Sequence, residues 1–104
     1  MSLDVHLTAV RSTTVYTSNI THNLAPMARA AGIYNVLWRP GITTASQLIP
    51  DIEKGLSAMK ARPEFYRQFN APNEWGTYEQ FIPWIEEYLA ACKANPDATV
   101  DVSV

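Results

Sequence analysis

The sequence contains a single cysteine and no long apolar run, and each shortage excludes a kind of protein. Cys92 alone cannot form an internal disulfide or a cysteine-based zinc site, and its spacing behind other apolar residues is typical of a buried thiol. No stretch approaches the roughly 20 apolar residues of a membrane-spanning helix, and the amino terminus lacks the pattern of a signal peptide. We therefore expect a cytoplasmic protein without a membrane partner.

Charged residues and glycines are also sparse. The chain has 8 lysines and arginines against 10 acidic residues, so it lacks the positive excess that attracts long nucleic acids. The histidines, His6 and His22, have no further ligands at zinc-like spacing, and the 4 glycines are too scattered for a phosphate-binding loop. No metal and no cofactor is predicted, and only a local basic pocket could bind phosphate.

The two ends of the chain alternate between apolar and polar residues, which predicts β-strands. Residues 3–10 form the first such segment, residues 14–20 are rich in β-branched types, and a short polar link at 11–13 predicts a hairpin between them. Residues 98–104 alternate again and are expected to join the hairpin. The residues predicted to face inward are Leu3, Val5, Leu7, Ala9, Val100, Val102 and Val104.

Helical signals fill the first half of the interior. Asn23 is predicted to cap a short helix over residues 24–31, which Gly32 closes. The apolar segment 33–38 fits either a strand or a helix, and we interpret it as a connector that ends before Pro40.

Stronger helical signals follow. Thr44 or Ser46 begins a helix that reaches about residue 61, with one apolar stripe. Pro63 opens a short helical piece. Thr77 and Gln80 then form a capping box that begins a helix to about residue 94.

The order β-β-α-α-α-β predicts one α+β domain over residues 1–104, with a small antiparallel or mixed three-stranded sheet covered on one face by helices. A sheet of three strands leaves exposed edges, and exposed edges invite pairing. A homo-oligomer is therefore expected.

Two clusters hold more hydrogen-bonding and aromatic groups than core packing requires. Both clusters lie at predicted helix starts, where free N–H groups and the helix dipole favour anions. The first comprises Asn19, Thr21, His22, Asn23, Trp38 and Arg39, and the second comprises Asn73, Trp75, Gly76, Thr77 and Tyr78.

Together the clusters predict a pocket for a small anionic or nucleotide-derived ligand. Arg39 would hold a phosphate, because a guanidinium binds phosphate oxygens in pairs. Trp38 or Trp75 would stack on a base. The directional hydrogen bonds would come from Asn19, His22, Asn23 and Thr77.

Two other kinds of protein remain open from the residues. A small hydrolase or transferase could use His22 as a general base with Ser18 or Thr21, although no nucleophile-elbow motif surrounds them. A protein–protein inhibitor or virion accessory factor would instead use an exposed apolar edge. Glu86 and Glu87 follow an apolar stripe and are interpreted as a solvated helix face.

Three segments resemble a family of short, uncharacterised bacteriophage and prophage proteins. They are NITHNLAPMARAAGIYNVLWRP, LIPDIEKGLSAMKARPEFYRQFN and WGTYEQFIPWIEEYLAAC, and the resemblance covers residues 19 to 104. It implies action in the cytoplasm of an infected bacterium and a role in the conflict between phage and host. By analogy with small phage proteins that sequester nucleotide signals, the leading hypothesis is a non-enzymatic sponge for such a signal.

Overall fold

The structure, a computed structural model, describes residues 2–9 and 13–104. A 3-10 turn at His22–Leu24 joins the second strand to the first helix. The elements are β1 (Ser2–Thr8), β2 (Thr14–Thr21), α1 (Ala25–Ala31), α2 (Tyr34–Trp38), α3 (Ala45–Ala61), α4 (Pro63–Arg67), α5 (Tyr78–Ala94) and β3 (Thr99–Ser103). The predicted α+β class is confirmed. The end of the first predicted strand at Val10 and most of the predicted link, residues 11 and 12, lie outside the described residues.

The strands form an antiparallel sheet in the order β2-β1-β3. Leu3, Val5 and Leu7 have no exposed surface and face the helices, so the alternation predicted for the first strand is confirmed. The opposite face of the sheet is polar. The prediction for Val104 is wrong, because this residue lies just beyond the end of β3 and is 61% exposed.

The two long helices, α3 and α5, pack against each other, and α5 also packs on β2. Their apolar stripes are buried as the helical spacing predicts, with Ile52 and Met59 in α3 and Phe81 and Tyr88 in α5 fully inaccessible to solvent. Both halves of the predicted Thr77–Gln80 capping box are present at the start of α5.

The start of α1 differs from the prediction. Asn23 does not cap the helix: Thr21 accepts a hydrogen bond from the backbone N–H of Asn23 and begins the 3-10 turn, and α1 begins after Leu24 without a side-chain cap. The side chain of Asn23 is thereby left free to bond elsewhere. Gly32 closes α1 as predicted, with a φ of 79°.

The segment interpreted as a connector forms the one-turn helix α2. Its apolar side chains Leu37 and Trp38 are buried against the core, which explains why an unpatterned apolar segment becomes helical here. The helix ends at Trp38, because the next residue, Arg39, precedes Pro40 and is disfavoured from helical geometry.

Candidate functional site

A cavity of about 670 Å³ lies between the start of α1 and the segment that joins α4 to α5. Its volume falls in the range of roughly 300–1,000 Å³ that is typical of ligand pockets. The lining residues are His22, Asn23, Ala25, Pro26, Arg29, Phe69, Asn70, Ala71, Pro72 and Asn73.

The cavity is built where the two predicted clusters meet. The amide nitrogen Nδ2 of Asn23 donates a hydrogen bond of 2.7 Å to the carbonyl oxygen of Trp75. Gly76 packs closely against Asn23 and Thr21, because a Cβ atom on Gly76 would lie 3.0 Å from Cβ of Asn23 and 3.2 Å from Cγ2 of Thr21. The absence of a side chain at residue 76 therefore lets the loop approach the end of β2.

Two asparagines hold the loop in shape by accepting hydrogen bonds from its backbone. Oδ1 of Asn70 accepts from the N–H of Tyr78 at 2.7 Å, and Oδ1 of Asn73 accepts from the N–H of Trp75 at 3.1 Å. These contacts fix the orientation of both amides, because a backbone N–H can only donate. The amide nitrogens of Asn70 and Asn73 donate to no side chain within the described residues, and both residues line the cavity.

His22 and Trp38 are in contact, as the first cluster requires, but their roles differ from those predicted. Nε1 of Trp38 donates to Nδ1 of His22 at 3.2 Å, and the Trp38 ring is only 2% exposed. Trp38 is therefore a core residue and cannot offer a face to a base. Because an indole N–H can only donate, neutral His22 carries its proton on Nε2 and presents a donor. This arrangement does not favour His22 as a general base.

Of the 11 predicted site residues, His22, Asn23 and Asn73 line the cavity, and Asn19 and Arg39 are among the eight that do not. Asn19 is an exposed residue of β2 and pairs in register with Asp4. Arg39 follows α2 and lines two clefts of about 300 and 320 Å³ on the side of β3 and α3. Arg39 therefore lies outside the lining of the 670 Å³ cavity, and its role in binding stays a prediction.

The cation at the cavity is Arg29, which the sequence reasoning missed. A signal for it was present: residues 22, 25, 26 and 29 follow helical spacing, so they share one face of the chain at α1. The guanidinium carbon of Arg29 lies 4.1 Å from the ring centroid of Tyr34, in cation–π geometry. Arg29 takes part in no ion pair within residues 2–9 and 13–104.

The residues of the second cluster serve mainly to build the loop and the start of α5. Trp75 is 72% exposed and lies outside the cavity lining, and the hydroxyl of buried Tyr78 donates to the carbonyl of Met59. At the start of α5, Oε1 of Gln80 accepts from the N–H groups of Gly76 and Thr77. This helix start therefore satisfies most of its own donors, and an anion finds few free ones there.

Some groups that would identify a class of protein are missing from the described part of the chain. No three His, Cys, Asp or Glu side chains in it are grouped so as to hold a metal ion. None of its helices combines the length and the apolarity needed to cross a membrane. No protein-family model, curated protein or solved structure matches the chain.

Proposed function

We propose that this chain is a non-enzymatic binding protein whose cavity holds a small, anionic, nucleotide-derived molecule. The observation that supports the proposal is the set of hydrogen-bond donors that the cavity lining carries. The amide nitrogens of Asn70 and Asn73 and Nε2 of His22 donate to no described side chain, and Arg29 forms no described ion pair. A ligand that fits this lining is rich in acceptor oxygens.

The charge of the lining points to the same ligand chemistry. Among the described residues of the lining, Arg29 alone is charged, and it forms no ion pair with a described carboxylate. A guanidinium is matched to phosphate by its paired N–H groups. Phe69 adds an apolar ring to the wall, against which a base or a ribose would lie. Oδ1 of Asn23 supplies an acceptor for a ligand N–H or hydroxyl.

The biological role we propose is sequestration of a nucleotide signal of bacterial immunity by a phage or prophage protein. This part rests on the resemblance of the three segments to bacteriophage and prophage proteins. It requires binding without turnover, and the protonation that Trp38 imposes on neutral His22 is consistent with that requirement.

Calorimetry and thermal shift against a panel of cyclic dinucleotides and ADP-ribose derivatives test the proposal. The decisive variant is Arg29→Gln, and the matched control is Arg62→Gln, because Arg62 also lies over an aromatic ring, that of Phe65, but lines no part of this cavity. We expect at least one compound to raise the melting temperature of the wild type, and Arg29→Gln alone to weaken its binding about tenfold or more.

The proposal fails if no compound stabilises the wild type, or if the two arginine variants bind equally well. Recovery of the bound compound after heat denaturation separates sequestration from catalysis. A sponge returns the compound intact, whereas a hydrolase or transferase returns product.

We further propose that the protein forms a homodimer through the edge of β2. The edge of β3 is partly occupied, because the N–H of Val100 donates to the carbonyl of Thr43 at 3.1 Å. β2 pairs only with β1 within the described residues, and its sequence TVYTSNIT contains no charge, proline or glycine to prevent pairing. An antiparallel β2–β2 contact would join two sheets about a two-fold axis.

Light scattering after size-exclusion chromatography tests this dimer. We expect Thr17→Lys to yield a monomer, because two-fold pairing would bring like charges together, and Ser103→Lys on β3 to remain a dimer. A wild type that runs as a monomer at high concentration would refute it.

A further inference from the structure

We infer that a second anion subsite adjoins the cavity, where Arg29 and Arg39 approach Tyr34 on α2, and that it takes a further phosphate of the same ligand. The inference rests on the proposed function and narrows it. It predicts a ligand with a diphosphate or with two separate phosphates, rather than a nucleoside monophosphate.

The subsite is continuous with the cavity because the two share Arg29. A recess of about 370 Å³ is lined by Arg29, Gly32, Tyr34 and Asn35. The guanidinium of Arg29 covers the Tyr34 ring, and its side chain also lines the 670 Å³ cavity. A phosphate bound to Arg29 would therefore lie between the cavity and the recess.

Arg39 approaches the same phenol. Tyr34 has a lowered pKa, chiefly because the Arg39 side chain is placed to hydrogen-bond its oxygen, and the positive charge of Arg29 adds to the effect. The Tyr34 phenol therefore lies in a region of positive electrostatic potential next to the recess.

Neither arginine is neutralised by a carboxylate. The described ion pairs engage Lys60, Arg67 and Lys93, and none engages Arg29 or Arg39. Asp51 and Asp101 line the clefts beside Arg39, but neither lies within ion-pair distance of it. Two guanidiniums without counter-charges near one phenol repel each other, and a phosphate between them would remove that repulsion and accept hydrogen bonds from both.

Inorganic pyrophosphate is the probe for the subsite, with sodium chloride at matched ionic strength as the blank. Calorimetry compares the wild type with Arg39→Gln, Arg39→Lys and the control Arg62→Gln. We expect Arg39→Gln to bind pyrophosphate about tenfold more weakly, Arg39→Lys to be intermediate, and Arg62→Gln to match the wild type. Arg39 is exposed at the end of α2, so these variants retain the core.

Ionisation of Tyr34 provides a second readout that a purely structural role for Arg39 would not move. It is measured as the difference between the ultraviolet pH titrations of the wild type and of Tyr34→Phe. We expect pyrophosphate to raise the pKa of Tyr34, because the bound anion opposes ionisation of the phenol, and to have no such effect in Arg39→Gln.

Equal affinity of the wild type and Arg39→Gln for pyrophosphate, or an unchanged Tyr34 titration, overturns the subsite. That result leaves the cavity proposal intact, because the cavity proposal depends on Arg29→Gln and the nucleotide panel. Conversely, pyrophosphate binding that requires Arg39 supports the subsite even if every nucleotide of the panel fails.

Discussion

Replacing Gly76 with alanine should destabilise the protein for two separable reasons. The first is backbone strain, because Gly76 has a φ of 117°, in the region that side chains disfavour. The second is crowding, because the new Cβ would lie 3.0 Å from Cβ of Asn23, 3.2 Å from Cγ2 of Thr21 and 3.4 Å from Cγ of Leu24. Gly32 provides the control, since its φ is 79° and a Cβ on it would meet nothing within 4 Å.

The two substitutions should therefore differ by the cost of crowding and by the greater strain of a φ of 117°. A left-handed φ costs an L-residue about 1–2 kcal/mol, and the smaller entropy of the unfolded alanine chain returns about 0.4–1 kcal/mol, so Gly32→Ala should lose about 1 kcal/mol. Overpacking adds about 1–3 kcal/mol, and contacts that are short by only a few tenths of an ångström fall at the low end. Gly76→Ala should then lose about 2–3 kcal/mol of unfolding free energy in total.

Equilibrium unfolding in urea, followed by circular dichroism, measures both variants under the same conditions. If Gly76→Ala lost no more than Gly32→Ala, the close approach of the loop to the end of β2 would be refuted. A loss confined to Gly76→Ala, with Gly32→Ala unchanged, would instead show that the strain of a positive φ is overestimated here.

Two further substitutions test the rim of the cavity and the core. Asn23→Ala removes the 2.7 Å hydrogen bond to the Trp75 carbonyl and should lower the unfolding free energy by about 1 kcal/mol. The control Asn35→Ala loses no described side-chain hydrogen bond and should change the unfolding free energy by less than about 0.5 kcal/mol. Thermal unfolding measures both variants. Burial raises the pKa of the Cys92 thiol from 9.0 to about 11, so the folded state keeps this proton at pH values where the unfolded chain loses it. The contribution of Cys92 to the free energy of unfolding should therefore be constant below pH 9 and should decrease as the pH rises to 11. Urea unfolding at several pH values in this range should show a smaller decrease for Cys92→Ala than for the wild type.

The long elements could be predicted from the sequence because their signals are local and repeated. The stripe of α3 recurs over several turns, and the capping box at Thr77 needs only residues three apart. α2 gave no such signal, because an apolar segment of one turn has no period to distinguish a helix from a strand. Its geometry decides where Trp38 and Arg39 lie, so the positions of these two residues could not be predicted from the sequence.

The same limit applies to the arginine that lines the cavity. Arg29 and Arg39 are the same residue type, 10 positions apart, and only the path of the chain between them shows which one reaches the cavity. The cap of α1 is a similar case, because Thr21 and Asn23 are both residues that favour helix starts. The sequence pattern indicated the segment around the start of α1, whereas which of its residues line the cavity depends on contacts with residues 71–77, about 50 positions further on.

The bond between Asn23 and the Trp75 carbonyl has a kinetic consequence. It joins residues 52 apart in sequence, so both walls of the cavity meet only after α3 and α4 have brought the intervening chain back. Early closure of so long a segment would cost chain entropy before the stabilising contacts form, whereas the hairpin of β1 and β2 joins strands that are close in sequence. We therefore expect the cavity to assemble late in folding. A ligand bound there should slow unfolding in proportion to its affinity and leave the refolding rate unchanged.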